Sequence, residues 1–109
     1  MGAAHAGDGD DFAAFLRAWR SAVERHDATA IAAMAHTPFL FEGREHDRAG
    51  VAETVVPALL APAVRRCLAS APPVEEDGRY VLDCLPYLFY LERIDGRWRW
   101  ADFAADGEG

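Results

Sequence analysis

The stretch YVLDCLPYLFYLERI-DG-RWRWADF, which runs from Tyr80 to Phe103, decides the fold. Two runs rich in aromatic and β-branched side chains flank Asp95-Gly96, and this dipeptide is among the strongest short-range signals for a β-hairpin. The sequence therefore predicts two long strands, 80–94 and 97–103, joined by a tight turn. Upstream, Pro62 to about Ala71 reads as an extended run and 72–78 as a loop, which completes a three-stranded antiparallel meander.

The N-terminal half predicts three helices. Asp8 or Asp10 is the expected N-cap of the first helix, which should run from about residue 10 to residue 26, because a carboxylate accepts hydrogen bonds from free N–H groups there. Its apolar side chains recur at helical spacing along one face. The members of this stripe are Phe12, Phe15, Leu16, Trp19 and Val23.

Asp27 and Asp47 are the expected N-caps of the second and third helices. Pro38 disfavours a helical residue before it and so ends the second helix, and Pro57 is expected to end or kink the third. Between these helices, Phe39 to Glu42 predicts a short strand that turns at Gly43 and pairs with the next three residues.

Helices followed by a meander are typical of an α+β domain. A meander of this length twists and curls, and the three helices are its available cover. We expect one domain at residues 10–105, a disordered N-terminus at 1–9 and a polar tail at 106–109. No internal repeat or long linker divides the chain.

The charge limits the partners. The chain has 18 acidic and 11 basic residues, a formal net charge of −7, and all its basic residues are arginines. Such a charge repels phosphate backbones and anionic membrane surfaces, so we predict no nucleic-acid partner and no membrane partner. The absence of Lys, Asn and Gln beside abundant Ala and Arg hints at a GC-rich, bacterial gene.

The expected location is the cytoplasm. The first nine residues lack the basic and apolar regions of a secretory signal, and no apolar run reaches about 18 residues. Cys67 and Cys84 are too few for a disulfide framework. They are plausible neighbours across the meander, but we interpret both as small, reduced core residues.

Three segments together resemble the NTF2-like (SnoaL-like) superfamily. They are the long first helix followed by a short helix from Asp27, the segment Pro38-Phe-Leu-Phe-Glu-Gly-Arg, and the closing Phe89-Tyr-Leu-Glu-Arg-Ile-Asp-Gly-Arg-Trp-Arg. The resemblance covers residues 10–104. It implies an NTF2-like cone, in which N-terminal helices pack on a curved antiparallel sheet around a pocket, and a homodimer formed through the sheet face.

The leading functional prediction is therefore a small-molecule-binding domain with a partly apolar pocket between helices and sheet. One alternative is an isomerase-, cyclase- or dehydratase-type enzyme that uses a pocket Asp with a Tyr or His; another is a non-catalytic protein-interaction module. No cofactor is predicted. The expected pocket-lining residues are Phe15, Trp19, His36, Phe39, Tyr87, Phe89 and Trp100.

Asp83 and Asp102 are the candidate catalytic residues. Each lies in an aromatic strand, where poor solvation would raise the pKa of a carboxyl and suit it to acid or base catalysis. The alternative is that each points to solvent or pairs with an arginine across the sheet, and this alternative is favoured. In the segment where resembling isomerases carry an Asp base, this chain has His36, which argues against that chemistry.

Other polar groups carry weaker signals. Glu42, Glu45, His46 and Asp47 crowd one turn, but no metal-ligand spacing accompanies them, so no metal site is predicted. Trp98 and Trp100 alternate with arginines, a pattern that favours packing and cross-strand ion pairs over base stacking. Pro86 indicates a bulge or an edge within the first long strand, which leaves open which of its faces lines the pocket.

Overall fold

The computed structural model describes residues 3–105, with side chains from residue 11 onward. The helices are α1 (Ala3–Glu24), α2 (Ala28–Ala33), α3 (Arg48–Gly50), a π-helical segment (Val51–Val55), α4 (Val56–Leu59) and α5 (Pro62–Leu68). The strands are β1 (Phe39–Phe41), β2 (Arg44–His46), β3 (Val74–Glu76), β4 (Arg79–Cys84), β5 (Tyr87–Ile94) and β6 (Arg97–Ala105). The predicted α+β class is confirmed, and the NTF2-like cone stays a prediction.

Two of the predicted helix caps are confirmed. The Asp27 carboxylate accepts a hydrogen bond from the backbone N–H of Ala30 at 3.0 Å, and Asp47 accepts one from Gly50 at 2.8 Å. The cap predicted at Asp8 or Asp10 is wrong, because α1 already begins at Ala3 and encloses both. The predicted disorder of residues 1–9 stays a prediction; residues 1 and 2 and the predicted tail at 106–109 lie outside the described residues.

Two prolines are accommodated at helix starts. Pro57 lies in the first turn of α4, directly after the π-helical segment, and the helical path continues to Leu59. Pro62 occupies the first position of α5 after the extended Ala61. The predicted extended run from Pro62 to Ala71 is therefore wrong, because proline at a first helical position favours the helix that follows.

Tight hairpins connect most of the strands. At Asp95-Gly96 both residues have positive φ (53° and 79°), and Ile94 pairs with Arg97, as the sequence predicted. The same conformation recurs at Asp77-Gly78, which joins β3 to β4. The segment 72–78 is therefore not wholly a loop. Within the described residues, the main sheet has four antiparallel strands in the order β3-β4-β5-β6.

The predicted strand 80–94 is in fact two strands. Leu85 and Pro86 form the turn between β4 and β5, so that Cys84 pairs with Tyr87 and Leu82 with Phe89. Proline cannot donate to a sheet ladder, and here it occupies the turn and causes no bulge within a strand. Simple alternation along residues 80–94 would place Asp83 on the same face as Tyr87 and Phe89, and the turn reverses this relation. Asp83 shares a face with Leu88, which it pairs with, and not with Tyr87 or Phe89.

The bulge lies instead in β6. Tyr90 pairs with Asp102 while Leu91 pairs with Trp100, which leaves Ala101 as an extra residue. Beyond the bulge the alternation is reversed, so Phe103 lies on the same face as Trp100, and Asp102 lies on the opposite face. We call these the inner and outer faces of the sheet.

Helix α1 covers the inner face. Phe12 stacks on Tyr80 with ring centroids 3.8 Å apart, and Trp19 meets Trp100 edge-on at 5.3 Å. Arg20 extends from the same helix and donates hydrogen bonds to the carbonyl oxygens of Ala69 and Ala71 after α5. The two layers are therefore joined by rings near the middle of the sheet and by an arginine at its β3 side.

Candidate functional site

The space expected to form the pocket is filled by an aromatic core. Its four members are Trp19, Phe39, Phe89 and Trp100, all of which were predicted to line the pocket, and each is at most 1% exposed. Trp100 is the hub, with ring centroids 5.3 Å from Trp19, 4.5 Å from Phe39 and 5.8 Å from Phe89. In the structure the other three rings therefore each contact Trp100.

A cavity of about 680 Å³ lies beyond this core, at the end of the sheet. We call it the end cavity. Its walls come from the ends of four elements: Phe41 and Glu42 after β1, Leu59 of α4, Tyr87 at the start of β5, and Phe103 with Ala105 at the end of β6. The volume is in the range of small-molecule sites, which span about 300–1,000 Å³.

Three aromatic rings form the apolar part of the end cavity. Phe103 lies between the other two, 5.7 Å from Phe41 and 6.0 Å from Tyr87. The planes are inclined by 45° and 79° respectively, so the rings do not stack flat against each other. Phe103 and Tyr87 are only partly buried, unlike the rings of the aromatic core. Apolar surface is therefore available to a bound molecule here.

Two polar groups accompany these rings. The Tyr87 hydroxyl makes no hydrogen bond to any described residue, although Tyr87 is half-buried. Glu42 occupies the turn between β1 and β2 with a φ of 53°, is exposed, and forms no ion pair within the described chain. A donor and a carboxylate at the margin of an apolar recess are the kind of groups that orient a ligand.

Asp83 and Asp102 are not brought to this cavity. Both are exposed, and both lie on the outer face of the sheet, where Asp83 pairs with Leu88 and Asp102 with Tyr90. The Asp102 carboxylate accepts a hydrogen bond from the next backbone N–H, that of Phe103, at 2.8 Å. The poorly solvated surroundings expected for the two carboxylates are absent, because the turn at Pro86 and the bulge at Ala101 direct both side chains outward.

The other two predicted pocket residues lie elsewhere. His36 is exposed, and its backbone N–H donates to the carbonyl of Trp100, which ties the end of α2 to β6. Phe15 is partly buried, stacks with Trp19 at 6.5 Å, and faces a surface groove beside Trp98. Tyr87 is thus the one predicted residue found in the end cavity as described.

The acidic turn after β1 has structural roles. Asp47 caps α3 through Gly50, and His46 packs against Phe41 with ring centroids 6.0 Å apart. Among residues 11–105, no group of three or more His, Cys, Asp or Glu side chains is placed to hold a metal ion.

Cys67 and Cys84 are joined by a disulfide that links α5 to β4. The interpretation of both as reduced core residues is therefore wrong, although their predicted proximity is confirmed. Disulfides persist mainly in oxidising compartments. The two cysteines therefore give no support to a cytoplasmic location, and the location stays a prediction.

Sequence reasoning missed most of the end cavity. Phe41 carried a usable signal, since it lies two residues after Phe39 in a strand and so shares its face. Phe103 carried no such signal, because simple alternation from Trp100 places it on the outer face of the sheet. Leu59 and Ala105 become wall residues only through the path of the chain in space.

No match to the chain was found among protein-family models, curated proteins or solved structures. The resemblance to the NTF2-like superfamily therefore remains a prediction from the sequence. No helix in the described range 3–105 combines the length and the apolar character needed to cross a membrane.

Proposed function

We propose that this domain binds a small molecule in the end cavity. The observation that carries the proposal is the pair of partly exposed rings of Tyr87 and Phe103, beside the buried Phe41, around a space of about 680 Å³. Burial of apolar surface is worth about 25 cal/mol per Å², so a ring compound that covers these side chains gains several kcal/mol. The Tyr87 hydroxyl supplies a polar contact that orients it.

The enzyme alternative has less support. Its two candidate carboxylates are exposed on the outer face, across the sheet from the end cavity. An acid or base must come within hydrogen-bond reach of the proton it transfers, and neither carboxylate faces the space where a ligand would lie. Binding without turnover is therefore the function that the geometry favours.

The test is a titration with p-cresol, a small phenol that offers one ring and one hydroxyl, followed by amide chemical shifts. We expect saturable shifts at Phe41, Tyr87 and Phe103. Ala58→Trp places a large ring at the cavity wall and should abolish them. Ala63→Trp is the matched control, because Ala63 is equally exposed but lies on α5, away from the cavity. Undiminished binding in Ala58→Trp would show that the ligand does not bind in this cavity.

We also propose that a second copy of the chain packs on the outer face. Val74 is 56% exposed there, opposite Val81 and next to the Arg79 guanidinium, which lies 4.2 Å over the Tyr90 ring. Arg97 marks the β6 side of this face, and Glu76, which pairs with Arg79, marks the β3 side. A two-fold axis parallel to the strands brings each arginine side against the partner's acidic side.

Sedimentation equilibrium tests this arrangement. Val74→Asp should lower the association constant at least tenfold without changing the monomer's far-UV circular dichroism. Leu40→Asp is the control, since Leu40 is 59% exposed on β1, outside the main sheet. A wild-type protein that stays monomeric up to millimolar concentration contradicts the dimer proposal.

A further inference from the structure

The charges around the end cavity distinguish it from an ordinary apolar recess. Among the described residues that line it, Glu42 has the one charged side chain, and no arginine or histidine is present. Arg44 pairs with Phe41 across the β1–β2 turn, but it is exposed and is not a wall residue. With a formal net charge of −7 on the whole chain, the potential at this site favours positive ligands.

The rings add to this preference. The face of an aromatic ring is negative, and a cation within about 6 Å of the ring centroid is attracted to it. The ring centroids of Phe103 and Tyr87 are 6.0 Å apart, so a small cationic group seated between these two partly exposed rings lies within that range of both. Their inclined planes present faces and edges from different directions, as the walls of a cage do.

We propose that the ligand of the end cavity is an organic cation, namely an N-alkylated ammonium compound whose cationic group contacts the Tyr87 and Phe103 rings and the Glu42 carboxylate. This inference rests on the proposed binding function and specifies its ligand class. The ammonium carries a full charge without needing many hydrogen bonds, which suits a cavity that offers one carboxylate and one hydroxyl. The same carboxylate disfavours an anionic ligand, because no described wall residue carries a positive charge that would compensate it.

Two isosteric probes test the inference. Phenyltrimethylammonium and tert-butylbenzene have nearly the same shape and differ in charge. Titrated into the full chain and followed by amide chemical shifts, the cation should bind about tenfold more tightly than the hydrocarbon. Equal affinities, or tighter binding of the hydrocarbon, would overturn the cation assignment and leave the apolar binding function standing. Failure of both probes to bind would overturn both proposals.

A second experiment removes the charge of the Glu42 carboxylate. Glu42→Gln keeps the size of the side chain and removes its charge, so it should weaken phenyltrimethylammonium binding about threefold to tenfold and leave tert-butylbenzene binding unchanged. Glu45→Gln is the control, because Glu45 is also exposed in this hairpin but is not a wall residue. An equal loss in both variants would assign the effect to overall charge and contradict a role for Glu42.

Discussion

The aromatic core and the end cavity share the inner face of one sheet, yet they differ in how they are covered. Trp100 and Phe89 are fully buried beneath Trp19 of α1, whereas Phe103 and Tyr87, on the same two strands, remain partly exposed. Both regions consist of large rings at similar spacing along β5 and β6. The difference lies in the cover, because the rings of α1 contact the sheet near Tyr80, Trp98 and Trp100.

Aromatic content alone therefore does not locate a binding site in this fold. Rings that meet a helix become core, and rings of the same kind beyond that helix become available to a ligand. If the two regions are independent, a substitution in the aromatic core should mainly lower stability, whereas a substitution in the end cavity should mainly lower ligand binding.

Trp100→Ala should destabilise the fold by about 3–5 kcal/mol, the usual range for truncation of a fully buried tryptophan. Phe103→Ala, the matched change two positions beyond the bulge, should lower stability by about 1–2 kcal/mol because this side chain is only partly buried, while p-cresol binding is lost. Urea denaturation and the amide titration measure the two effects. Equal losses of stability in the two variants would show that the two regions behave as one core.

Removal of the disulfide is expected to have the next largest effect. The bond closes a loop with a sequence separation of 17 residues, for which restriction of the unfolded chain contributes about 3 kcal/mol. The double change Cys67→Ser and Cys84→Ser should therefore lower the free energy of unfolding by about that amount. The wild-type protein measured with and without dithiothreitol should show the same difference. A ligand affinity altered as strongly as the stability would show that the bond also shapes the end cavity.

Arg20→Met should lower the free energy of unfolding by about 2 kcal/mol, because hydrogen bonds from charged groups contribute about 1.5–3 kcal/mol. The native guanidinium donates to two backbone carbonyls after α5, and methionine keeps most of the aliphatic stem. Arg17→Met on an exposed position of α1 is the control and should change stability little. If both variants behave alike in urea denaturation, the carbonyl contacts of Arg20 carry no net stability.

The smallest expected effect concerns Asp27 and depends on pH. The hydrogen bond donated by the Ala30 N–H lowers the pKa of this carboxyl below its ordinary 3.8; desolvation opposes the shift, and Arg25 adds to it. Because the folded-state pKa is the lower one, the stabilisation is present above 3.8 and disappears as the pH falls through the folded-state value. Asp27→Asn should therefore be less stable than wild type at pH 6, and the difference should vanish near pH 2. A pH-independent difference would mean that the carboxylate charge has no part in the cap.

Local signals predicted much of the fold. The N-caps Asp27 and Asp47 and the turns at Gly43 and Asp95-Gly96 each depend on a few adjacent residues, and the structure has them as expected. Prolines were the main source of error. Pro62 starts a helix and Pro86 occupies a turn, and in both places the same residue type is compatible with several local structures.

The candidate site was less predictable, because it depends on distant parts of the chain. Tyr87 was identified, but its neighbours Phe41 and Leu59 come from elements more than 25 residues earlier. Asp83 and Asp102 were chosen because each lies in an aromatic strand, but the face of such a residue cannot be assigned by simple alternation when a two-residue turn or an extra residue intervenes. A single sequence carries no signal for the length of a helix relative to the sheet beneath it, and that length decides which rings stay uncovered.

Ala101, the extra residue in β6, therefore sets the chemistry of the recess beyond it. If Ala101 were instead taken into a regular ladder opposite Tyr90, Asp102 would pair with Phe89 on the inner face, and the Phe103 ring would move to the outer face. An apolar cavity and an acid-bearing one therefore differ in this scaffold by a one-residue shift of strand pairing. Such a shift, and not side-chain replacement alone, offers a domain of this kind a short route from binding molecules to transforming them.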